Sequence, residues 1–250
     1  MCDQTVIAWL ANWAKNNPEE FNNKTIIEVG SKDFNGSVRP VVTNFGNPLS
    51  YIGVDVSSGK YVDMIVPAEK LVEKFGENAF DVVISTEMLE HVFDWKTVID
   101  NLKRILKPNG TIFITTRSFG FQYHGYPFDF WRYEPEDMKH IFADFEIQYL
   151  HYDAETFGVW LKAKKPSTWR PSESNLNYEL YSIAIGKKSL LPVPISFTRK
   201  ALVLLQLFLQ KAVRQKALQP KVYGKKPSLT IKTPFTRKVR LLLQRSRLIM

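Results

Sequence analysis

Two apolar runs that each close on an acid carry the clearest chemical signal in the 250-residue chain. Thr25 to Val29 is β-branched and apolar around Glu28, breaks at Gly30, and leads into a short polar loop with a second glycine, Gly36. A buried strand that stops at a glycine-bearing loop leaves bare backbone where a ligand can approach closely. The second run, YIGVDV, ends around Asp55. In an open α/β sheet the carboxyl ends of neighbouring strands meet at the crevice where ligands bind. An acid about 20 residues past a glycine-bearing strand end suits the diol of a ribose.

A second set of groups lies later in the chain. Polar residues Ser85, Thr86 and Glu87 follow the apolar run Val82 to Ile84, and the pair Glu90-His91 comes just after. Between Arg117 and Arg132 stand Phe119, Phe121, Tyr123, Tyr126, Phe128 and Phe130, then Trp131, with His124 and Asp129 among them. A loop this dense in aromatic and hydrogen-bonding groups, placed after a parallel strand, reads as the wall of a substrate pocket or as an aromatic lid on the core. An imidazole titrates near neutral pH, which makes His124 and His91 the candidates for a base. Asp129 is the next candidate, or orients a histidine or binds a hydroxyl. Tyr126, Trp131 and Arg132 are candidate substrate contacts, Arg132 for an acidic group. The four histidines (His91, His124, His140, His151) show no ligand spacing and no H-x-x-x-H pair, so no metal is expected. A Ser-His-Asp hydrolase is disfavoured because no G-x-S-x-G elbow occurs.

Residues 24 to about 163 resemble the class I S-adenosylmethionine (SAM) dependent methyltransferases, close to the type 11 group. Glu28, Gly30 and Gly36 match that family's acid-plus-glycine motif, Asp55 matches the acid after its second strand, and Lys32 and Phe34 stand where two further glycines are usual. The run from FDVVISTEMLEHV through LKRILKPNGTIFITT is the most specific match, and YPFDFWRY resembles an element of sugar-cluster and natural-product methyltransferases. The resemblance implies SAM as cofactor, with Glu28, Gly30, Ser31, Gly36, Asp55, Glu69 and Ser85 on its side. Glu69 is the guess for the adenine contact, and Glu90-His91 falls near the methyl-transfer site. Methyl transfer from a sulfonium needs nucleophile and methyl on one axis and a way to remove a proton.

These groups need elements to hold them. Thr5 to Lys15 reads as an amphipathic helix covering a sheet, and a helix after Pro40 gives way to a turn over Asn44 to Pro48. Tyr61 to Val66 reads as a third strand, and Ala68 to Phe75 as a helix stopped by Gly76. Trp95 to Leu106 is predicted as a helix capped by Asp94, TIFITT as the fifth strand, and Pro135 onward as a helix with Met138, Ile141 and Phe142 inward. FEIQYL and GVWLKA pair as a closing antiparallel hairpin. The expected fold is therefore α/β, a doubly wound, mostly parallel sheet over residues 1–165, with a basic arm over 166–250.

Charge divides along the same line. Residues 1–161 hold 14 Lys/Arg against 23 Asp/Glu, whereas residues 162–250 hold 20 against 2. Such a split points to an acidic body and a basic tail that meets an anionic surface. Within the tail, FTRKALVLLQ at 197–206 is echoed by FTRKVRLLLQ at 235–244, which suggests one short amphipathic helix used twice. The apolar stretch Ala201 to Leu209 would reach only ~14 Å as a helix, too short to span a bilayer. It would lie in the interface, with Arg199, Lys200, Lys211 and Arg214 toward headgroups; the alternative is that its leucines pack on the catalytic body or on a second subunit. A single cysteine, Cys2, and the lack of a signal pattern point to a cytoplasmic protein, peripheral on the inner membrane face. The expected activity is O-methylation of a hydroxyl on a saccharide or other polar metabolite, carried on a membrane lipid. The alternatives are a nucleic-acid methyltransferase, which sparse aromatics among the basic tail residues disfavour, and a non-catalytic scaffold with this fold.

Overall fold

The computed structural model describes residues 3–125, 128–172 and 174–192. All of the described residues fall within one compact unit, Met1–Arg199. The two expected amphipathic helices of the arm lie outside the described residues.

Helix α1 (Gln4–Asn16) starts where the Asp3 carboxylate accepts from Thr5 N–H, and it buries Val6, Trp9, Leu10 and Ala14. After it come β1 (Thr25–Val29), α2 (Arg39–Gly46), β2 (Ser50–Asp55), β3 (Met64–Ile65), α3 (Leu71–Phe75) and β4 (Phe80–Thr86). Helix α4 (Trp95–Ile105) and strand β5 (Leu106–Arg117) follow, then β6 (Trp131–Arg132), α5 (Pro135–Ile141), β7 (Glu146–Asp153), β8 (Gly158–Lys164), β9 (Leu180–Ser182) and β10 (Lys187–Ser189). The main sheet runs β3-β2-β1-β4-β5-β8-β7. β8 alone runs antiparallel to its neighbours, β5 and β7, while the pairs among β1 to β5 are parallel.

Successive strand side chains point to opposite faces, and the core divides accordingly. Ile26, Val82, Ile84 and Phe113 pack on one side with Val6, Trp9, Leu10 and Val42 of α1 and α2. Ile27, Val83, Ile112 and Ile114 pack on the other with Val98, Ile99, Leu102, Met138 and Ile141 of α4 and α5. Apolar strands buried on both faces are what a parallel sheet requires.

Three expectations are corrected. Pro40 sits in the first turn of α2, where no N–H is needed, so the helix begins at Arg39 and reaches Gly46 before Asn47 (φ 46°) ends it. β3 is two residues rather than six: Tyr61 has φ 66°, and although Asp63 N–H still reaches Gly53 O at 2.8 Å, the Gly53 N–H goes to the Asp63 carboxylate (2.7 Å), which also takes Arg39 Nη1 at 2.7 Å.

The third correction is the boundary at Lys165, which does not end the body. Lys165 Nζ is buried against the carbonyls of Lys103 (2.9 Å) and Leu106 (2.6 Å). Beyond it, Leu176 and Leu180 join the core, and β9 pairs antiparallel with β6. Buried Asp137 accepts from Tyr178 OH (2.8 Å) and Lys188 Nζ (2.7 Å). The basic stretch therefore contributes at least one segment to the folded body.

Candidate active site

The parallel registers bring the ends of β1, β2 and β4 together: Glu28 lies beside Gly53 on one side and Ile84 on the other. Glu28 is buried, and its Oε2 accepts from Tyr51 OH at 2.8 Å. Burial pushes its carboxyl up to about 7, against the pull of Tyr51 and Arg39. Gly30 has φ 82°, which favours glycine, and a Cβ there would stand 2.7 Å from Met88 Cγ. The loop after β1 is thereby tied to the turn after β4. Asp55 ends β2, and its Oδ1 accepts from Ser57 N (2.9 Å) and Ser57 Oγ (3.2 Å). Lys32, in a usual glycine position, donates to that same Ser57 Oγ at 3.1 Å. Ser85 is fully buried in β4, and its Oγ has no hydrogen-bond partner among the described residues. Glu69 is exposed in a short 3-10 turn.

Two cofactor-side candidates have their polar groups engaged within the protein. Ser31 Oγ donates to Tyr61 O at 3.0 Å, and its N–H bonds Val54 O. Gly36 N–H is taken by Asp33 Oδ1 at 2.9 Å. Both shape the loop, their N–H groups and the Ser31 hydroxyl hydrogen being engaged within the protein. The orphaned Ser85 hydroxyl, the close-packed Gly30 and the strand-end acid Asp55 are the features that fit a nucleoside cofactor.

The second half of the site grows from the end of β4. Glu87 is a buried non-glycine residue with φ 51°, ion-paired to Arg117 Nε of β5. Burial first, and the neighbouring Glu90 next, raise its carboxyl to about 7, while Arg117 opposes them. The 3-10 turn Leu89–His91 then aims Glu90 and His91 inward. Glu90 is wholly buried; Oε2 accepts from Thr116 Oγ1 at 2.9 Å and Oε1 has no partner among the described residues. His91 Nδ1 meets Phe128 O at 2.5 Å, and its Nε2 lies 3.0 Å from His124 Nε2. Glu90 Oε1 stands 3.9 Å from the first Nε2 and 3.8 Å from the second. Burial holds His91 below its ordinary range, although Glu90 pulls the other way.

His124 is positioned by Asp129, which accepts its backbone N–H at 3.0 Å and faces its Nδ1 at 2.9 Å. Asp129 is itself clamped by Arg132, Nη1 to Oδ1 at 2.5 Å and Nη2 to Oδ2 at 2.8 Å. Burial raises the Asp129 carboxyl, but the bonds from Arg132 and His124 outweigh it and hold the group well below the usual range. Asp129 is thus an orienting anion, and its candidacy as a base is corrected.

The proposed contact between Arg132 and an acidic substrate is corrected too. Arg132 is buried, and its remaining donors go to the carbonyls of Phe121, Gln122 and Trp131. Trp131 is a core residue, fully buried with Nε1 donating to Val92 O at 3.0 Å, and is not a substrate contact. Tyr126 lies outside the described residues. Phe119 and Tyr123, in the same loop as His124, are largely exposed, at 59% and 66%.

Sequence reasoning placed Glu87 and Arg117 at the strand ends without pairing them and gave Thr116 no role, although a buried acid after a strand usually has a partner. It also found no ligand spacing among the histidines, yet folding brings His91 and His124 into contact. Glu90, His91 and His124 each offer one potential ligand atom, all within 4.8 Å of one another.

Comparison with known proteins agrees with this layout. Residues 7–163 match a family model described as a methyltransferase domain. Over 80 residues, 32% of this chain and 21% of the relative, the chain is 44% identical to the mitochondrial ubiquinone biosynthesis O-methyltransferase of Homo sapiens. Over 44 residues it is 48% identical to the ubiquinone biosynthesis O-methyltransferase of Pasteurella multocida, covering 18% of each. The chain thus spans about a fifth of the length of these relatives. The solved structure of the [4+2]-cyclase SpnF superposes with a TM-score of 0.51 at 16% identity, over 66% of this chain and 83% of that one. This likeness shows the fold alone.

Proposed function

The chain belongs to the methyltransferase-domain family, and we propose that it is a SAM-dependent enzyme that methylates the oxygen of a hydroxyl on a small polar acceptor, a saccharide by preference. The observation that carries this reading is the His91–His124 pair, seated beside the turn whose Met88 covers Gly30. SAM, when bound, supplies an electrophilic methyl group on a sulfonium. The chain's residues do the rest. Asp55 accepts the ribose hydroxyls, since one carboxylate takes two hydrogen bonds. Gly30, whose φ of 82° turns the chain sharply against Met88, shapes the loop that receives the methionine portion, and Glu28 steadies that loop from beneath. The paired imidazoles are where the acceptor hydroxyl gives up its proton, and Asp129 and Arg132 fix the ring of His124. The exposed Phe119 and Tyr123 suit the apolar faces of a sugar ring. That the partially matched relatives are O-methyltransferases by name supports an oxygen acceptor.

The membrane reading belongs to the same proposal. No helix among the described residues is long and apolar enough to cross a membrane. The excess of 20 Lys/Arg over 2 Asp/Glu in residues 162–250 supports reversible attachment to an anionic leaflet, where a lipid-carried saccharide would be met.

The test is calorimetry with S-adenosylhomocysteine, then labelled-methyl turnover against free glycans and lipid-linked sugars. His91→Asn and His124→Asn should each lower turnover by roughly 10²–10⁴-fold and leave cofactor affinity within about 2-fold. Wild-type rates in both variants would overturn the assignment of the pair. Flotation with neutral and anionic vesicles tests the membrane part, which fails if binding ignores lipid charge.

A further inference from the structure

The three atoms that converge in the site are all acceptors once the tautomers are assigned. His91 Nδ1 faces the carbonyl of Phe128 at 2.5 Å, so that nitrogen carries the hydrogen and Nε2 keeps a lone pair. Asp129 Oδ2 stands 2.9 Å from His124 Nδ1, off the line of a well-formed hydrogen bond, and a carboxylate that close favours a hydrogen on Nδ1 over a lone pair. Both Nε2 lone pairs then face each other at 3.0 Å, with the unpartnered, wholly buried Glu90 Oε1 at 3.9 and 3.8 Å. Three lone pairs around one point repel unless a cation occupies it.

We infer that Glu90, His91 and His124 bind a first-row divalent metal ion, with zinc the best match to two imidazoles and a carboxylate.

The distances specify the size of that ion. A point equidistant from the three atoms, in their plane, lies about 2.1 Å from each. Zinc sits ~2.0–2.1 Å from imidazole nitrogen and ~2.0–2.2 Å from carboxylate oxygen. The surroundings match as well. Ligating histidines characteristically direct the other ring nitrogen at a carbonyl or carboxylate, and ligating carboxylates are themselves hydrogen-bonded. Here Phe128 O, Asp129 and Thr116 Oγ1 fill those roles, and Arg132 locks Asp129. The ligands come from β4's trailing turn and the loop after β5, and the side chain of His124 is 22% exposed. Three protein ligands leave a fourth position, toward that open side, for an acceptor's oxygen. The inference rests on the functional reading only for its use, and metal binding itself does not depend on methyl transfer. It changes the histidines' part in that reading. With both Nε2 lone pairs on the ion, the rings would act through it, the ion lowering the pKa of a coordinated hydroxyl whose proton leaves to solvent by the open side.

The full chain should be stripped with a chelator and titrated with Co²⁺, reading its visible absorption, and with Zn²⁺ in competition. One ion per chain is expected at neutral pH, with a Co²⁺ spectrum typical of a mixed nitrogen and oxygen shell. Glu90→Gln, His91→Asn and His124→Asn should each weaken binding at least 100-fold, Asp129→Asn roughly 10–100-fold, and His140→Asn not at all. Zinc-edge X-ray absorption on the wild-type chain needs no variant and should report two imidazoles. Failure to bind one equivalent, or a ligand shell without imidazole, overturns the inference and assigns the convergence to a shared proton. S-adenosylhomocysteine calorimetry on the same stripped protein separates the two readings. Cofactor binding without metal binding sinks only the metal site, and metal binding without cofactor binding sinks only the proposed function.

Discussion

Replacing Glu28 by glutamine should stabilise the protein above neutral pH. The side chain is 2% exposed in β1, and burial lifts its carboxyl from 4.5 to about 7. Its folded value is therefore above its unfolded one, so between these values the folded state binds the extra proton. The stability of the wild-type chain must fall as pH rises through that window, and the full penalty stands above about 7. At about 1.4 kcal/mol per unit, the climb from 4.5 to about 7 amounts to roughly 3 kcal/mol. Glutamine keeps an oxygen for Tyr51 OH, which now bonds Glu28 Oε2 at 2.8 Å, and removes the charge. Urea unfolding of cofactor-free wild type and Glu28→Gln should be compared from pH 4.5 to 8. The two curves should meet near the acid end and diverge to about 3 kcal/mol in favour of the variant by pH 8. Other buried acids, Glu87 among them, are common to both proteins, so the difference isolates Glu28. Parallel curves across the range would refute the reasoning, since they would mean that this carboxylate is as comfortable folded as unfolded.

Asp55→Ala removes the acceptor assigned to the ribose, at ~1.5–3 kcal/mol per charge-assisted hydrogen bond, so S-adenosylhomocysteine affinity should drop at least ~10-fold by calorimetry. A chain ended at Lys165 loses buried Leu176, Leu180 and the β9 partner of β6. At ~2–5 kcal/mol per buried leucine, it should melt well below a chain ended at Pro192, or fail to fold. Gly53→Ala would place a Cβ 2.1 Å from Tyr61 O and 2.7 Å from Ser31 Oγ. Thermal melts should register a cost of ~1–3 kcal/mol, with weaker cofactor binding because β2 must move. Trp131→Ala, in the core rather than the pocket, should cost ~3–5 kcal/mol in stability, a loss read by urea unfolding.

Some of this protein is set by its sequence alone. The cores of the runs, Ile26-Ile27 and Val82–Ile84, are apolar on both faces, so they had to be inner strands of a parallel sheet, and the acids and glycines at their ends had to share one crevice. That logic is local and periodic, and it reaches Gly30 and Asp55 without tertiary information. It stops where a residue's role depends on what arrives from elsewhere in the chain. Arg132 and Trp131 sit in an aromatic, polar loop that reads as pocket, but the fold buries both, because β9 returns from beyond residue 165 to pair with β6. Asp129 becomes an anchor rather than a base because Arg132 reaches it first. His91 and His124 have no ligand spacing along the chain. They meet because the turn after β4 and the loop after β5 leave adjacent parallel strands at the same end of the sheet. Periodicity fixes which face of an element is buried; only the packing of distant elements decides which polar groups find partners and which are left over to do chemistry.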